Sequence, residues 1–133
     1  PKIIWGNLNV EATFSLDLNG SYILAPCNML TSDKADLPYL LALLNSPVTT
    51  YFMRNQGYSR EGGYVEYKRI FIEQLPIPKP SMRERNILSA MIEELCKRKI
   101  NGLSILEIQA ELNREIFKLY SFSNSEAQFL GGL

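Results

Sequence analysis

The sequence of 133 residues has no histidine and only two cysteines, and both shortages narrow the chemistry open to it. Without histidine the chain lacks the commonest general base, the Ser-His and Cys-His nucleophile pairs and a frequent metal ligand. Cys27 and Cys96 are far apart and have no CxxC spacing, so we expect two unpaired thiols in a reducing, cytoplasmic compartment. The histidine-dependent hydrolases and the usual zinc sites are excluded.

Long apolar runs are also missing. No segment approaches the ~20 apolar residues that a membrane-spanning helix requires, so we expect no membrane partner. No charged-then-apolar leader precedes the opening residues, and we interpret the chain as part of a longer protein rather than a secreted precursor. Hydrophobic residues make up 46% of the sequence, which suffices for one domain with its own core.

The formal net charge is zero, which argues against a uniformly basic nucleic-acid-binding protein. The distribution is uneven, however. Between positions 54 and 99 there are ten basic and six acidic residues, a net charge of +4, and the rest of the chain carries −4. One region is therefore a candidate for contact with a polyanion, and the remainder is not.

Periodicity and turn residues predict an α+β fold with a small mixed or antiparallel sheet and flanking helices. Phe14–Leu18 alternates with period two, and Asn19-Gly20 fits a type I′ turn. Ser21–Leu24 is then predicted to return as the second strand of an N-terminal hairpin. Asp36 is predicted to cap one helix, and Ser46, followed by proline, to start another.

Capping boxes mark a C-terminal helical pair. Ser81 with Glu84 and Ser104 with Glu107 each fit the S-x-x-E pattern, and a similar pattern at Ser123 predicts a short final helix. Each of the two longer helices has an apolar stripe on one face. We therefore expect a recognition core over residues 1–80 and a helical region over residues 81–133 that packs on that core or on an absent domain.

The stretch 59–80 raises three possibilities for chemistry. Glu66-Tyr67-Lys68 matches half of the acidic-plus-lysine pattern of metal-dependent nucleases, but such a site needs a second carboxylate, and Asp33 and Asp36 precede a helix instead. Gly62-Gly63 lacks the spacing of a nucleotide-binding loop and indicates a positive φ or a close approach. The third and plainest interpretation is a solvated strand face with alternating charges.

The segment from 54 to 69 contains the side chains that DNA contact requires. Basic residues reach phosphates or guanine edges, amides pair with adenine, and a carboxylate accepts from cytosine. We expect Arg60, Lys68 and Arg69 to neutralise phosphates, with Asn55, Gln56 and Glu66 at base edges. The full candidate set is Arg54, Asn55, Gln56, Tyr58, Ser59, Arg60, Gly62, Gly63, Tyr64, Glu66, Lys68 and Arg69.

Several short motifs, in this order, resemble the TaqI-like C-terminal specificity domain. They are PKIIW at 1–5, Asn19-Gly20, YLLALLNS at 39–46, GGY at 62–64 and IEQLPIP at 72–78. The segments 112–121 and 123–126 are similar to the closing helices of the same enzymes. Each motif is short, but their order and separations together cover most of the chain.

The resemblance implies a module that recognises the double-stranded DNA target of type II restriction-modification enzymes, including endonuclease-methyltransferases that modify adenine at N6. The methyltransferase signature Asn-Pro-Pro-Tyr/Phe and the glycine-rich cofactor motif are absent. The resemblance therefore implies a role in bacterial defence, and it implies that this chain has no catalytic site. It places S-adenosylmethionine and Mg²⁺ only in the parent's other domains, and it makes duplex DNA and the parent's methyltransferase or endonuclease domain the partners.

One alternative of a different class stays open. The two C-terminal helices could present their apolar stripes to a partner or to a second copy of the chain, which would make this a protein-interaction and assembly module of a restriction-modification complex. The positive region would then dock on an acidic neighbour rather than on DNA.

Overall fold

The computed structural model describes residues 1–133 and confirms the α+β class. The strands are β1 (Lys2–Trp5), β2 (Leu8–Asn9), β3 (Phe14–Asp17), β4 (Asn28–Leu30), β5 (Tyr58–Ser59) and β6 (Val65–Glu66). The helices are α1 (Leu37–Leu44), α2 (Pro47–Gln56), α3 (Arg69–Ile72), α4 (Met82–Ile100), α5 (Leu106–Leu119) and α6 (Asn124–Gly131). The strands form two three-stranded antiparallel sheets, in the orders β3-β1-β4 and β2-β6-β5.

The predicted pairing of the N-terminal hairpin is wrong. β3 pairs with β1, with Trp5 opposite Phe14, and residues 21–24 form no strand. The predicted type I′ turn is not formed either, because it needs a positive φ at both central residues and Gly20, at +70°, has one while Asn19 does not. Tyr22 and Leu24 are exposed, whereas Trp5 and Phe14 are buried, so pairing with β1 buries apolar surface that the local hairpin would leave in water.

Asn45 explains the end of the LLALLNS motif. Its Nδ2 donates to the carbonyl of Phe14 at 2.9 Å, and its Oδ1 accepts from the Phe14 N–H at 2.7 Å. The amide thus occupies backbone groups on the outer side of β3, an edge strand. The hydroxyls of Ser46 and Thr49 both donate to the Leu43 carbonyl, which satisfies the backbone where α1 gives way to α2.

The C-terminal helices pack on the rest of the chain. α4 contacts α1 and α5, and the buried apolar residues form one cluster that runs from Ile3 to Leu130. Most of the stripes predicted from the sequence are buried, namely Leu88, Ile92 and Leu95 on α4 and Ile108, Leu112 and Ile116 on α5. The other predicted members are partly buried (Met91, Ile105 and Leu119) or exposed (Ile87). The surfaces that the interaction hypothesis assigned to a partner are thus used inside the chain.

Two of the three predicted capping boxes are confirmed. The hydroxyls of Ser81 and Ser123 accept from the N–H groups of Glu84 and Glu126, and both glutamates bond back. The third prediction, Ser104 with Glu107, is wrong. Helix α5 begins at Leu106, and the Ser104 hydroxyl accepts only a long hydrogen bond of 3.5 Å from the N–H of Leu106. Asp36 caps α1 without a side-chain bond, and its carboxylate pairs with Arg85 at 2.7 Å instead.

The Leu-Pro-Ile-Pro segment is held by tyrosines from both ends of the chain. The Tyr39 hydroxyl, on α1, donates to the carbonyl of Pro78, and the Tyr120 hydroxyl donates to that of Pro76 at 2.6 Å. Proline has no N–H but keeps its carbonyl, so both prolines are anchored as hydrogen-bond acceptors. Burial raises the pKa of Tyr39 to about 12, so its hydroxyl remains a donor at neutral pH.

Both cysteines are free and exposed, as expected. No helix in the structure combines the length and the apolar character needed to cross a bilayer.

Candidate nucleic-acid interface

β5 and β6 form an antiparallel hairpin in which Tyr58 lies opposite Glu66. Side chains alternate between the two faces of a strand, so Tyr58 and Glu66 share one face. Arg60 and Lys68 join them there, as their contacts with Glu66 show. These four residues, Tyr58, Arg60, Glu66 and Lys68, are called the hairpin face below.

The opposite side of the hairpin is anchored in the core. Val65 and Tyr67 are buried, and the Tyr67 N–H donates to the carbonyl of Asn7 at 2.7 Å. The indole N–H of Trp5 donates to the Tyr67 carbonyl at 2.8 Å, and the Tyr67 ring lies 6.2 Å from that of Phe14. The hairpin face is therefore mounted on a rigid, packed support.

The turn of the hairpin depends on glycine. The Arg60 N–H donates to the Tyr64 carbonyl at 2.7 Å, and between them Gly62 and Gly63 have φ of +75° and +79°. Gly57, at the start of the hairpin, is needed for a different reason. A Cβ there would lie 2.6 Å from Cγ1 of Val65 and 2.9 Å from the Met53 carbonyl oxygen.

Glu66 is the electrostatic centre of the hairpin face. Its residue is only 6% exposed, yet Arg60 Nε donates to Oε1 at 2.8 Å, Arg60 Nη2 donates to the same oxygen, and Lys68 Nζ lies 3.2 Å from Oε2. The Arg60 guanidinium, followed by the Lys68 ammonium, holds the pKa of Glu66 below its ordinary value. Glu66 is therefore ionised at neutral pH and is engaged through both oxygens.

The expectation that Glu66 accepts directly from a cytosine is not supported by this geometry. Both carboxylate oxygens already face cations of the same chain, and the residue is buried. The cations themselves are accessible, because the Arg60 side chain is 60% exposed and that of Lys68 is 46% exposed. The acid thus orients exposed donors and is not itself presented.

Lys68 is held from a second side by aromatic rings. Its Nζ lies 5.1 Å from the centroid of the Tyr58 ring, within the range of a cation–π contact. The exposed Tyr58 ring in turn packs edge-on against Phe71, with centroids 5.4 Å apart. An exposed aromatic and two cations therefore share one rigid surface.

The other candidate residues lie around the hairpin face. Arg54, Asn55 and Gln56 are exposed in the last turn of α2, directly before β5, and Asn55 Nδ2 donates to the Tyr51 carbonyl at 2.8 Å. Arg54 has no ion-pair partner in the chain. Tyr64, beside the turn, is also exposed. Ser59 in β5 is exposed too, but it lies opposite Val65 and therefore on the other face of the hairpin.

Arg69 departs from the strand that its sequence suggests. It begins α3, and its Nε lies 3.1 Å from the Glu73 carboxylate in an exposed i,i+4 pair. Neither this helix nor the inward orientation of Tyr67 was predicted from the sequence. The alternation of Val65 and Tyr67 with Glu66 and Lys68 was the available signal, since it assigns one face of the strand to the core.

The structure brings no second carboxylate to Glu66 for a nuclease-type metal site. Its carboxylate is surrounded by cations, and Asp36 is paired with Arg85. No group of three or more Cys, Asp or Glu side chains is arranged as a cation site anywhere in the chain.

The exposed cations Arg60 and Lys68 thus lie on a hairpin with a glycine turn, on a small α+β protein. The chain belongs to the family of the TaqI-like C-terminal specificity domain, whose model matches residues 1–77. It is also similar to the type II methyltransferase M.PaeR7I of Pseudomonas aeruginosa, with 26% identity over 132 residues. That match covers 99% of this chain but 21% of the relative, so the chain spans about a fifth of the relative's length.

Proposed function

We propose that this chain recognises a specific double-stranded DNA sequence for a type II restriction-modification enzyme and has no catalytic site of its own. The observation that carries the proposal is the hairpin face. In a member of a specificity-domain family, exposed Arg60 and Lys68 are fixed on a buried carboxylate beside an exposed tyrosine. Such fixed, exposed donors suit contacts with base edges and phosphates.

Phosphate contacts would come from the rim of the hairpin face. Arg54 has no competing acid within the chain, and Arg69 has only a solvent-exposed one, so both can exchange water for phosphate at low cost. The net charge of +4 over residues 54–99 adds long-range attraction to the duplex. Binding should then weaken steeply with rising salt, because each neutralised phosphate releases counterions.

The parent protein is part of the same proposal. Residues 81–133 pack on residues 1–80 within this chain. The similarity to a type II methyltransferase supports a parent protein in which residues 1–80 recognise DNA and residues 81–133 also pack on the methyltransferase or endonuclease domain. Methylation of adenine at N6, with S-adenosylmethionine and, for cleavage, Mg²⁺, would take place in those other domains. The setting would be the bacterial cytoplasm, in defence against foreign DNA.

The test is electrophoretic mobility shift in low salt with wild-type chain and the double variant Arg60→Gln plus Lys68→Gln. Glutamine keeps a hydrogen-bond donor near Glu66, and thermal unfolding verifies that the hairpin persists. We expect the double variant to bind at least about tenfold more weakly, because it loses the two exposed, fixed donors of the hairpin face.

The matched control removes two cations from other exposed ion pairs. Arg98 pairs with Glu94 and Lys118 pairs with Glu115, both on helices. Arg98→Gln plus Lys118→Gln makes the same change in net charge and should bind DNA nearly as wild type does. Equal affinities of wild type and the Arg60/Lys68 variant would contradict the proposed surface.

The assembly-module alternative retains support from one observation. Ile100, Leu103 and Leu106 are all exposed around the turn between α4 and α5, although the stripes of these helices are buried. Light scattering separates the two functions. A stable dimer that Leu103→Ser dissociates, together with no affinity for duplex DNA, would favour assembly over recognition.

A further inference from the structure

Arg60 is bound to Glu66 along one edge of its guanidinium. Nε and Nη2 both donate to the same carboxylate oxygen. A guanidinium has five N–H groups in a rigid plane, so this arrangement leaves both protons of Nη1 and one of Nη2 without a partner in the carboxylate. These remaining donors lie at the distal end of the plane, away from the held edge.

The held edge is fixed and the distal end is accessible. Glu66 is buried in β6, and its neighbours in sequence, Val65 and Tyr67, are buried on the other side of the strand. The Arg60 side chain is nevertheless largely exposed. Arginine normally loses much rotamer freedom when it binds, and an arginine already fixed by a carboxylate loses less of it at the moment of contact.

A pair of parallel N–H donors matches one base edge above all others. Guanine presents two acceptors, O6 and N7, to the major groove, whereas adenine presents N7 beside the donor N6. Cytosine presents a donor amino group, and thymine a single acceptor next to a methyl group. The two fixed donors at the end of Arg60 are therefore complementary to the two acceptors of guanine. At adenine, one of them would face the N6 amino group, which is itself a donor.

We propose that Arg60, oriented by Glu66, reads a guanine through O6 and N7 in the major groove, so that the recognised sequence contains a G·C pair at this position. Glu66 is a positioning residue and touches no base. This assignment rests on the proposed function and deepens it, since it names the base that one residue of the hairpin face selects.

The experiment is selection of bound duplexes from a random-sequence DNA library, followed by sequencing, with four chains beside the wild type. Arg60→Lys keeps the charge and removes the fork, and Glu66→Gln keeps the shape and weakens the hold on Arg60. The controls are Arg98→Lys and Glu94→Gln, because Arg98 Nε lies at the same 2.8 Å from Oε1 of Glu94 on α4.

We expect the wild type to select a motif with an invariant G·C pair. Arg60→Lys should relax that one position and leave the others intact, with roughly ten- to hundredfold loss of discrimination against the other bases there. Glu66→Gln should relax the same position by a smaller factor. The two controls should reproduce the wild-type motif.

The outcomes separate this inference from the proposed function. A wild-type chain that selects no motif would overturn sequence recognition, and the guanine assignment with it. A wild-type motif that Arg60→Lys leaves unchanged at every position would overturn the guanine assignment alone and leave recognition standing. Relaxation by Arg60→Lys but not by Glu66→Gln would overturn the positioning role of Glu66. Thermal unfolding shows whether Glu66→Gln fails to fold, and Arg60→Lys, which keeps the charge on Glu66's partner, remains decisive in that case.

Discussion

Two arginine–glutamate pairs in this chain have the same Nε–Oε1 distance of 2.8 Å and opposite surroundings. Glu94, on α4, is half exposed and has one partner, Arg98, a turn away on the same helix. Glu66 is buried in a hairpin, has two cationic partners, and is paired with Tyr58 across the strands.

The difference teaches what a salt bridge does in each place. An exposed i,i+4 pair contributes only about 0.3–0.5 kcal/mol and exchanges readily with solvent. A buried carboxylate cannot be left without its partners at low cost, so it restrains the cations that it holds. The pair on α4 is an ordinary solvent-exposed ion pair, whereas Glu66 fixes the positions of Arg60 and Lys68 on the hairpin face.

The largest expected effect is a loss of stability when the core residue behind the hairpin face, Tyr67, is truncated. Tyr67→Ala removes a fully buried ring that contacts the Trp5 and Phe14 cluster, and should lower the free energy of unfolding by about 3–5 kcal/mol in urea denaturation. Tyr67→Phe should cost little, since the buried hydroxyl has no hydrogen-bond partner. Equal losses for the two variants would show that the hydroxyl, and not ring packing, supports the hairpin.

A smaller effect is expected at the entrance to the hairpin. Gly57→Ala forces a methyl group against Val65 and the Met53 carbonyl, and should lower the unfolding free energy by about 1–3 kcal/mol. Gly6→Ala is the matched control, because a Cβ there meets nothing within 4 Å, and it should change stability by less than about 1 kcal/mol. Thermal melts of both variants measure this, and an unchanged Gly57→Ala would refute the close approach.

The smallest expected effect is a change in how stability depends on pH when Glu66 is replaced. The pKa of Glu66 is lowered in the folded chain from the ordinary 4.5, so its pairing stabilises the fold above about pH 4.5 and is lost as pH falls through the lower folded pKa. Below pH 4.5 the melting temperature of Glu66→Gln should therefore fall less steeply than that of wild type. Identical melting profiles for wild type and Glu66→Gln would contradict this effect of Glu66 on stability.

Local signals predicted much of the secondary structure. Ser81 and Ser123 begin helices because their capping boxes satisfy backbone N–H groups within four residues of sequence. The start of α2 after Ser46 was also predicted, since Pro47 follows directly. These features depend on neighbours in the chain, which a sequence displays.

Features that depend on distant partners were not predictable in the same way. Phe14–Asp17 pairs with β1 rather than with its neighbour, because burial of Trp5 and Phe14 outweighs a favourable turn. Asn45 makes two hydrogen bonds to the backbone of Phe14, and Tyr39 and Tyr120 donate hydrogen bonds to the carbonyls of Pro78 and Pro76. All of these bonds join residues more than 30 positions apart. The sequence around each of these residues gives no sign of which distant residue it will bond.

The sequence by itself determined the class of fold, most of the helices, the family resemblance and the segment in which the candidate interface lies. Only the tertiary structure decided that Glu66 is buried and paired with both Arg60 and Lys68. The physical reason is that composition and periodicity depend on neighbours along the chain, whereas the burial of a carboxylate, and hence its hold on two cations, depends on surfaces that meet only when the chain folds.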